Sequence, residues 1–313
     1  MKEVSVIVLT YNSVWEKLKA TIQSILLQKN VEYEIIFADD GSSQNWAEKI
    51  IEFLEEKDVA YQFSFLKENA GTVKNIAAGL KKANGKYIKL ITPGDFFYVP
   101  DTLSRWIAFM ETRQGEVSFA DAVYYASSEE GFIQIQATPA PANRHLFDPP
   151  QSRENVFVSY LLANDTALGA SLLMRADLMQ KYIDLFADRV KYAEDYMLRL
   201  IVFDNVTVHY FHEKAIWYEY GTGISTSSEN LWTKRLHEDF ETTDKIIKFR
   251  NTAPDQIAKK YLELLKKDSE NPVVHKIKKL LYFPTMTTWR KQMQAAGKTP
   301  ADGDLDYLRR LFL

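Results

Sequence analysis

Three groups of carboxylates stand where an α/β chain can meet a polar ligand. Asp39 and Asp40 close the apolar run Glu34 to Ala38 and precede Gly41-Ser42-Ser43, which puts them at the carboxyl end of a buried strand. Open α/β sheets bind their ligands at that end. Asp95 follows a second such run, Lys86 to Thr92, after the turn Pro93-Gly94. Glu194 and Asp195 begin a segment whose other residues are mostly apolar. Each group also suits a plainer role, since Asp and Ser form Asx turns and cap helices, and acids in a first turn complement the helix dipole. Spacing alone leaves both readings standing.

The elements that must carry these residues follow from periodicity. Val4 to Leu9 reads as a strand ending in Thr10-Tyr11-Asn12, whose polar groups face the same crevice as Asp39 and Asp40. Leu18, Ile22, Ile25 and Leu26 recur at helical spacing, a second helix runs from about Trp46 to Glu56, and Ala60 to Leu66 reads as a third strand. This βαβαβ alternation predicts a parallel sheet covered on both faces. Next, Asn69 and Gly71 form a turn into a helix with inner face Val73, Ile76, Ala77 and Leu80. Lys74 projects from its first turn, toward the crevice or into solvent. Pro100-Asp101-Thr102-Leu103 starts a further helix, with Pro near the first turn as helix starts allow.

The second half is less periodic. Residues 116 to 124 and 132 to 137 read as strands around a turn, and Thr138 to Pro150 forms a proline-rich loop containing Arg144 and His145. Thr166 to Arg175 leads into a helix. Strands near Val206 to Phe211 and Ala215 to Tyr220 end at Gly221-Thr222-Gly223-Ile224-Ser225-Thr226, which suits a plain turn or a phosphate contact. From Leu231 onward the pattern is helical. There Val273, Val274, Ile277, Leu280 and Leu281 form an apolar stripe beside Lys276, Lys278 and Lys279. Such a stripe belongs in a core or on an anionic membrane surface.

Composition narrows the classes. The chain has 313 residues and no cysteine, which rules out a disulfide framework, a thiolate metal site and a cysteine nucleophile. No run approaches a membrane span, and the first strand is too short for a signal-peptide core, so the expectation is a soluble, cytoplasmic protein. The net charge of −3 divides unevenly: residues 1 to 230 carry 22 Lys/Arg and 31 Asp/Glu, and residues 231 to 313 carry 17 and 11. The acidic front argues against nucleic acid as a partner. The basic tail leaves three roles open: a homodimer contact, a peripheral contact at the inner face of the cell membrane, or a cover over an acceptor site.

Taken in order, the motifs Val-Ser-Val-Ile-Val-Leu-Thr-Tyr-Asn at 4 to 12, Asp-Asp-Gly-Ser at 39 to 42, Asn-Ala-Gly-Thr-Val-Lys-Asn at 69 to 75, Asp95, Pro-Asp-Thr-Leu at 100 to 103 and Glu-Asp at 194 to 195 resemble the family-2 glycosyltransferases of bacterial polysaccharide type over about residues 1 to 226. The resemblance implies the GT-A fold, a Rossmann-like, mostly parallel sheet with flanking helices. A nucleotide-sugar half spans about 1 to 103 and an acceptor half about 104 to 226, with a C-terminal helical region over 227 to 313.

It further implies an inverting transfer of sugar from a nucleotide-sugar, commonly a UDP-sugar, to a glycan or lipid-linked acceptor. Thr10 and Tyr11 would line the nucleobase pocket and Asp39 would accept a hydrogen bond from the base. Asp40 would support the turn or the ribose side, and Asn12, Gly71, Lys74 and Gly94 would complete the donor site, Lys74 standing where the family often has arginine. Asp95 would hold Mg²⁺ or Mn²⁺, and Asp195, with Glu194 beside it, would be the general base. The family's Asp-x-Asp-Asp is here Thr92-Pro93-Gly94-Asp95, and Tyr220-Gly221-Thr222-Gly223 stands where a histidine is expected. These departures keep open a GT-A-like binding module without catalysis. A nucleotidyltransferase finds less support, because no glycine- and basic-rich phosphate loop follows the first strand.

Overall fold

All seven residues of the first strand are buried, which places it inside a sheet covered on both faces. The computed structural model describes residues 2–128, 131–221, 230–266 and 271–313. Its strands are β1 (Val4–Thr10), β2 (Tyr33–Asp39), β3 (Ala60–Phe65), β4 (Tyr87–Ile91), β5 (Phe96–Phe97), β6 (Val117–Ser128), β7 (Gly131–Ile135), β8 (Leu172–Arg175) and β9 (Val208–Glu219). They form one sheet in the order β3-β2-β1-β4-β8-β6-β9-β5, with β7 paired to β6. The first four strands are parallel, and Thr10 lies beside Asp39 in the register.

The helices are α1 (Trp15–Leu26), α2 (Ala47–Leu54), α3 (Thr72–Leu80), α4 (Thr102–Arg113), α5 (Arg153–Phe157), α6 (Ala176–Phe186), α7 (Met197–Phe203), α8 (Asn230–Lys248), α9 (Gln256–Lys266), α10 (Pro272–Tyr282), α11 (Met286–Ala295) and α12 (Leu305–Arg310). Side chains alternate across the sheet, as strand geometry requires. Ile7, Leu9, Ile36 and Ala38 pack in the layer containing α3, α6 and α7. Val4, Val6, Val8, Ile35 and Phe37 pack against α1, α2 and α4 on the other face.

The structure departs from the periodicity reading in the second half. The stretch before α6 contains β8, antiparallel to β4 and β6. Four residues joined directly to a helix are too few to register a period of two. The two strands expected over 206 to 220 are one strand, β9, running parallel to β6. The charged residues His212-Glu213-Lys214, which look like a break, lie where the ladder shifts register near Asp121, the kind of irregularity a bulge absorbs.

Helices beyond residue 230 share the core of the preceding chain. Ile246, Ile247, Ala258, Tyr261, Leu262, Leu264, Phe283 and Met286 join the α3, α6 and α7 layer. The α10 stripe divides: Leu280 packs against that core, whereas Val273, Val274, Ile277 and Leu281 are exposed. The final turn, α12, packs Tyr307, Leu308 and Leu311 beside Phe96, Tyr125 and Trp217. Among the described residues no helix is long and apolar enough to cross a membrane. The glycine-serine stretch 221 to 226 lies, beyond Gly221, outside the described residues.

Candidate active site

The parallel strands β2, β1 and β4 bring their carboxyl ends to one edge, and the loops there are stitched to one another. Thr10 donates its hydroxyl to Asp39 Oδ2 at 2.7 Å, while the Ser42 N–H donates to Oδ1 at 2.8 Å and the Ser42 hydroxyl to Oδ2 at 2.6 Å. The Asn12 N–H donates to Ser42 Oγ at 2.7 Å, and Asn12 Oδ1 accepts the Ser43 N–H at 3.1 Å. Asp39 is thus buried and shapes the loop. Tyr11, next in the chain after Thr10, is half exposed.

Asp40 performs the next junction. Its carboxylate accepts the Ala70 N–H at 2.7 Å and the Gly71 N–H at 2.9 Å, which ties the end of β2 to the start of α3. Burial raises the Asp40 pKa, opposed by these two N–H groups. Gly71 has φ +95°, and a Cβ there would lie 2.4 Å from Lys191 Cγ, so only glycine lets the two segments meet. The Lys191 carbonyl accepts the Val73 N–H at 3.1 Å, and its ammonium is near enough to lower the Asp40 pKa. Lys74 is half-exposed on the first turn of α3, with its ammonium 3.7 Å from Asp188.

The segment starting at Lys191 delivers Glu194 and Asp195. They form a short 3-10 turn, Glu194–Tyr196, ahead of α7. Asp195 lies against Gly169, whose added Cβ would be 2.9 Å from Asp195 Cβ, and the two acids border an apolar recess with Leu172, Met179 and Met197. Burial raises the pKa of both acids, and the Asp195 charge raises that of Glu194 further. The N–H groups of Tyr196 and Gly169 hold Asp195 lower, to about 6. Two like charges this close titrate as a pair, with the proton preferring Glu194.

Asp95 connects this side back to the sheet edge. It is 4% exposed, its Oδ2 accepts the Thr92 hydroxyl at 2.7 Å, and its Oδ1 faces the Glu219 N–H at 3.4 Å. Beneath it Lys89, fully buried in β4, donates to the carbonyls of Leu90 at 2.7 Å and Ala170 at 2.6 Å. Burial lowers the Lys89 pKa to about 7, with Asp95 opposing, and burial raises the Asp95 pKa to about 6. Ala170 adjoins Gly169, so Lys89, which feels the Asp95 charge, holds the loop that packs on Asp195.

Gly94 has no side chain to offer, and a Cβ there would lie 2.6 Å from Glu219 Oε2. That space is filled by the Glu219 carboxylate, held by Lys17 Nζ at 2.7 Å. Asp95 is engaged by the Thr92 hydroxyl and the Glu219 N–H, and Glu219 by Lys17, so Mg²⁺ or Mn²⁺ held at Asp95, as the sequence suggested, would have to draw most of its shell from water and the phosphates of a bound nucleotide. Among the described residues no group of three His, Cys, Asp or Glu could hold a metal ion.

Among the expected residues, contacts join Thr10, Asn12 and Asp39 through Ser42, Asp40 to Gly71 at the start of the helix that carries Lys74, and Gly71 to Lys191, which leads to Glu194 and Asp195; Tyr11 follows Thr10, and Gly94 and Asp95 follow β4. Lys17, Lys89, Lys191 and Glu219 went unrecognised in the sequence. Lys89 alone carried a signal, a lone charge in the middle of an apolar strand.

Comparison with known proteins agrees with this architecture. The Glycosyl transferase family 2 description matches residues 5–178. The chain is similar to uncharacterized glycosyltransferases of Rickettsia conorii and Rickettsia felis, 32% and 33% identical over 41% of this chain, and the match spans about a fifth of their length. It is 30% identical, over 46% of this chain and 54% of the relative, to the Escherichia coli UDP-Glc:alpha-D-GlcNAc-diphosphoundecaprenol beta-1,3-glucosyltransferase WfaP. Staphylococcus aureus TarS, solved with UDP-GlcNAc, superposes with a TM-score of 0.59 at 17% identity, over 95% of this chain and 84% of TarS. The Pyrobaculum calidifontis mannosyltransferase PcManGT, solved with GDP-Man and Mn²⁺, gives 0.57 at 14% identity, over 99% and 79%. These two neighbours share the GT-A fold.

Proposed function

Because the chain belongs to glycosyl transferase family 2, we propose that it is an inverting glycosyltransferase that moves a sugar from a nucleotide-sugar, in the first instance a UDP-sugar, to a hydroxyl of a glycan or lipid-linked acceptor in bacterial surface polysaccharide synthesis. The observation that supports the reading is the set of junctions at the carboxyl ends of β1 and β2: Thr10 with Asp39, Asp40 with Gly71, and Gly71 with Lys191, from which the chain runs to Glu194 and Asp195. Donor and acceptor chemistry need such a shared edge. The activity stated for WfaP supports a lipid-linked acceptor as the first class to try.

In this reading Tyr11 packs on the nucleobase, and Thr10, Asn12 and Asp39 shape its pocket. Asp40 and Gly71 hold open the passage for the diphosphate. Lys191 and Lys74 are the cations the rim offers to its charge, which grows on the leaving oxygen as the anomeric bond breaks. Asp195 takes the proton of the attacking acceptor hydroxyl, and Glu194, carrying a proton of its own, leaves Asp195 as the ionised partner. One displacement inverts the anomeric centre.

A thermal-shift screen against a nucleotide-sugar panel tests donor binding without an acceptor, since a ligand that binds the native state raises its melting temperature by mass action. Stabilisation by one nucleotide class supports the reading, and none across the panel overturns it. The committed Asp95 favours one second reading, a binding module without catalysis. Donor hydrolysis by the protein would exclude that module.

A further inference from the structure

A hollow of about 210 Å³ opens between the turn Val158–Leu162, α7 and the helices α8 to α11. Three of its lining residues are cations, Arg199 from α7, Lys279 from α10 and Arg290 from α11, and His275 stands with them. Asp244 from α8 is the single carboxylate among the lining residues. The arrangement leaves two positive charges uncompensated around one space.

Arg199 is built into this wall. It is 3% exposed, and its terminal nitrogens donate to Asn164 Oδ1 at 2.9 Å, Asp244 Oδ1 at 3.1 Å and the carbonyls of Leu161 at 3.2 Å and Tyr160 at 3.4 Å. Its buried Nε has no partner. Arg290 gives one nitrogen to the Leu162 carbonyl at 2.7 Å. Burial and the charges of Arg290 and Arg199 all press the Lys279 pKa down, with Asp244 opposing. Like charges gathered in a partly dry space are unfavourable unless an anion completes them, and an unpaired guanidinium nitrogen is costly to bury.

We propose that this hollow binds a phosphoryl group, whose oxygens pair with Lys279 and Arg290 while Arg199 holds the wall behind them. A guanidinium fork and an ammonium match phosphate in both charge and donor geometry. Phosphate of this kind is carried by soluble phosphate esters and by lipid headgroups. The site is separate from the rim at the sheet edge and does not depend on transferase activity, so its test reads binding alone.

The full chain is titrated calorimetrically with inorganic pyrophosphate, and co-sedimented with phosphatidylcholine vesicles with and without phosphatidic acid. The double variant K279Q/R290Q is compared throughout, its unliganded melting temperature serving to verify that it folds. Saturable pyrophosphate binding that weakens about tenfold or more in the double variant supports the site, each lost charge contact being worth about a factor of ten. D244N, which removes the opposing charge, is expected to bind roughly tenfold more tightly, an effect that lost packing would not produce. Capture by phosphatidic acid vesicles that the double variant abolishes supports a lipid-borne phosphate, and pyrophosphate binding without capture supports a soluble one. Wild-type protein that binds neither, or a double variant that binds both as well as wild type, overturns the proposal.

Discussion

The carboxylate of Asp239, on α8, accepts the backbone N–H of Tyr192 at 2.7 Å, and the same side chain accepts Lys191 N–H and Ala193 N–H at 3.0 Å each. One buried acid from the C-terminal helices therefore fixes the three residues that precede Glu194 and Asp195. Stacking of Tyr196 on Phe240, with ring centroids 3.9 Å apart, holds the other end of that turn to the same helix. The helical tail is part of the scaffold of the proposed catalytic pair.

Asp239→Asn should accordingly lower transfer while leaving the donor site nearly intact. Asn keeps one acceptor oxygen but loses the charge that three N–H groups share, a loss of about 1–3 kcal/mol in stability. A displaced base costs on the order of 10²-fold in turnover. Steady-state kinetics beside a thermal melt checks it; unchanged turnover in a destabilised variant would remove Asp239 from any positioning role.

Asp195→Asn should abolish transfer, by roughly 10²–10⁴-fold, the usual contribution of a general base. Donor binding in a thermal-shift titration should hardly change. Normal turnover in this variant takes the base assignment away from Asp195.

The same pair sets a pH dependence. A base works when deprotonated, and the Asp195 pKa lies at about 6, raised by burial and held by the N–H groups around it. Turnover at saturating substrate should be full near pH 8 and fall as pH drops through about 6. Glu194 keeps its proton through this range, so Glu194→Gln, which replaces one neutral group by another, should leave this acid limb where it is. A profile flat from pH 5 to 8 would contradict the assignment.

Gly71→Ala should weaken donor binding more than it weakens the fold at large. The added Cβ would meet the Lys191 carbonyl at 2.7 Å at a position with φ +95°, forcing α3 and the Lys191 segment apart. Strain of this type costs of order 1–3 kcal/mol, or about 10–100-fold in donor affinity if it is relieved at the rim. An unchanged nucleotide titration would show that the junction does not border the donor.

Mn²⁺ titrated into the protein without nucleotide should give no tight binding, with any dissociation constant above roughly 10⁻⁴ M, because the oxygens of Asp95 and Glu219 are committed to Thr92 and Lys17. Calorimetry reads this directly. Substituting Gly94→Asp would not restore a ligand, since its Cβ would meet Glu219 at 2.6 Å. Tight nucleotide-free binding would mean that Asp95 turns outward.

The amino-acid sequence by itself determined the strand ends of the rim. Runs such as Val4 to Leu9 and Glu34 to Ala38, stopped by Asn12 or Gly41, declare strand, edge and polar terminus through short-range periodicity and turn chemistry. Thr10, Asp39, Asp40 and Gly71 were legible for that reason. Only the tertiary structure decided which charges meet. Lys17 and Glu219 are 202 residues apart in sequence, and Lys191 reaches Gly71 only because α8 clamps its backbone. It likewise decided that Asp95 turns inward and that part of the α10 stripe faces solvent. Such pairings depend on the packing of whole layers, where burial and the need to satisfy each charge choose among partners that local sequence does not rank.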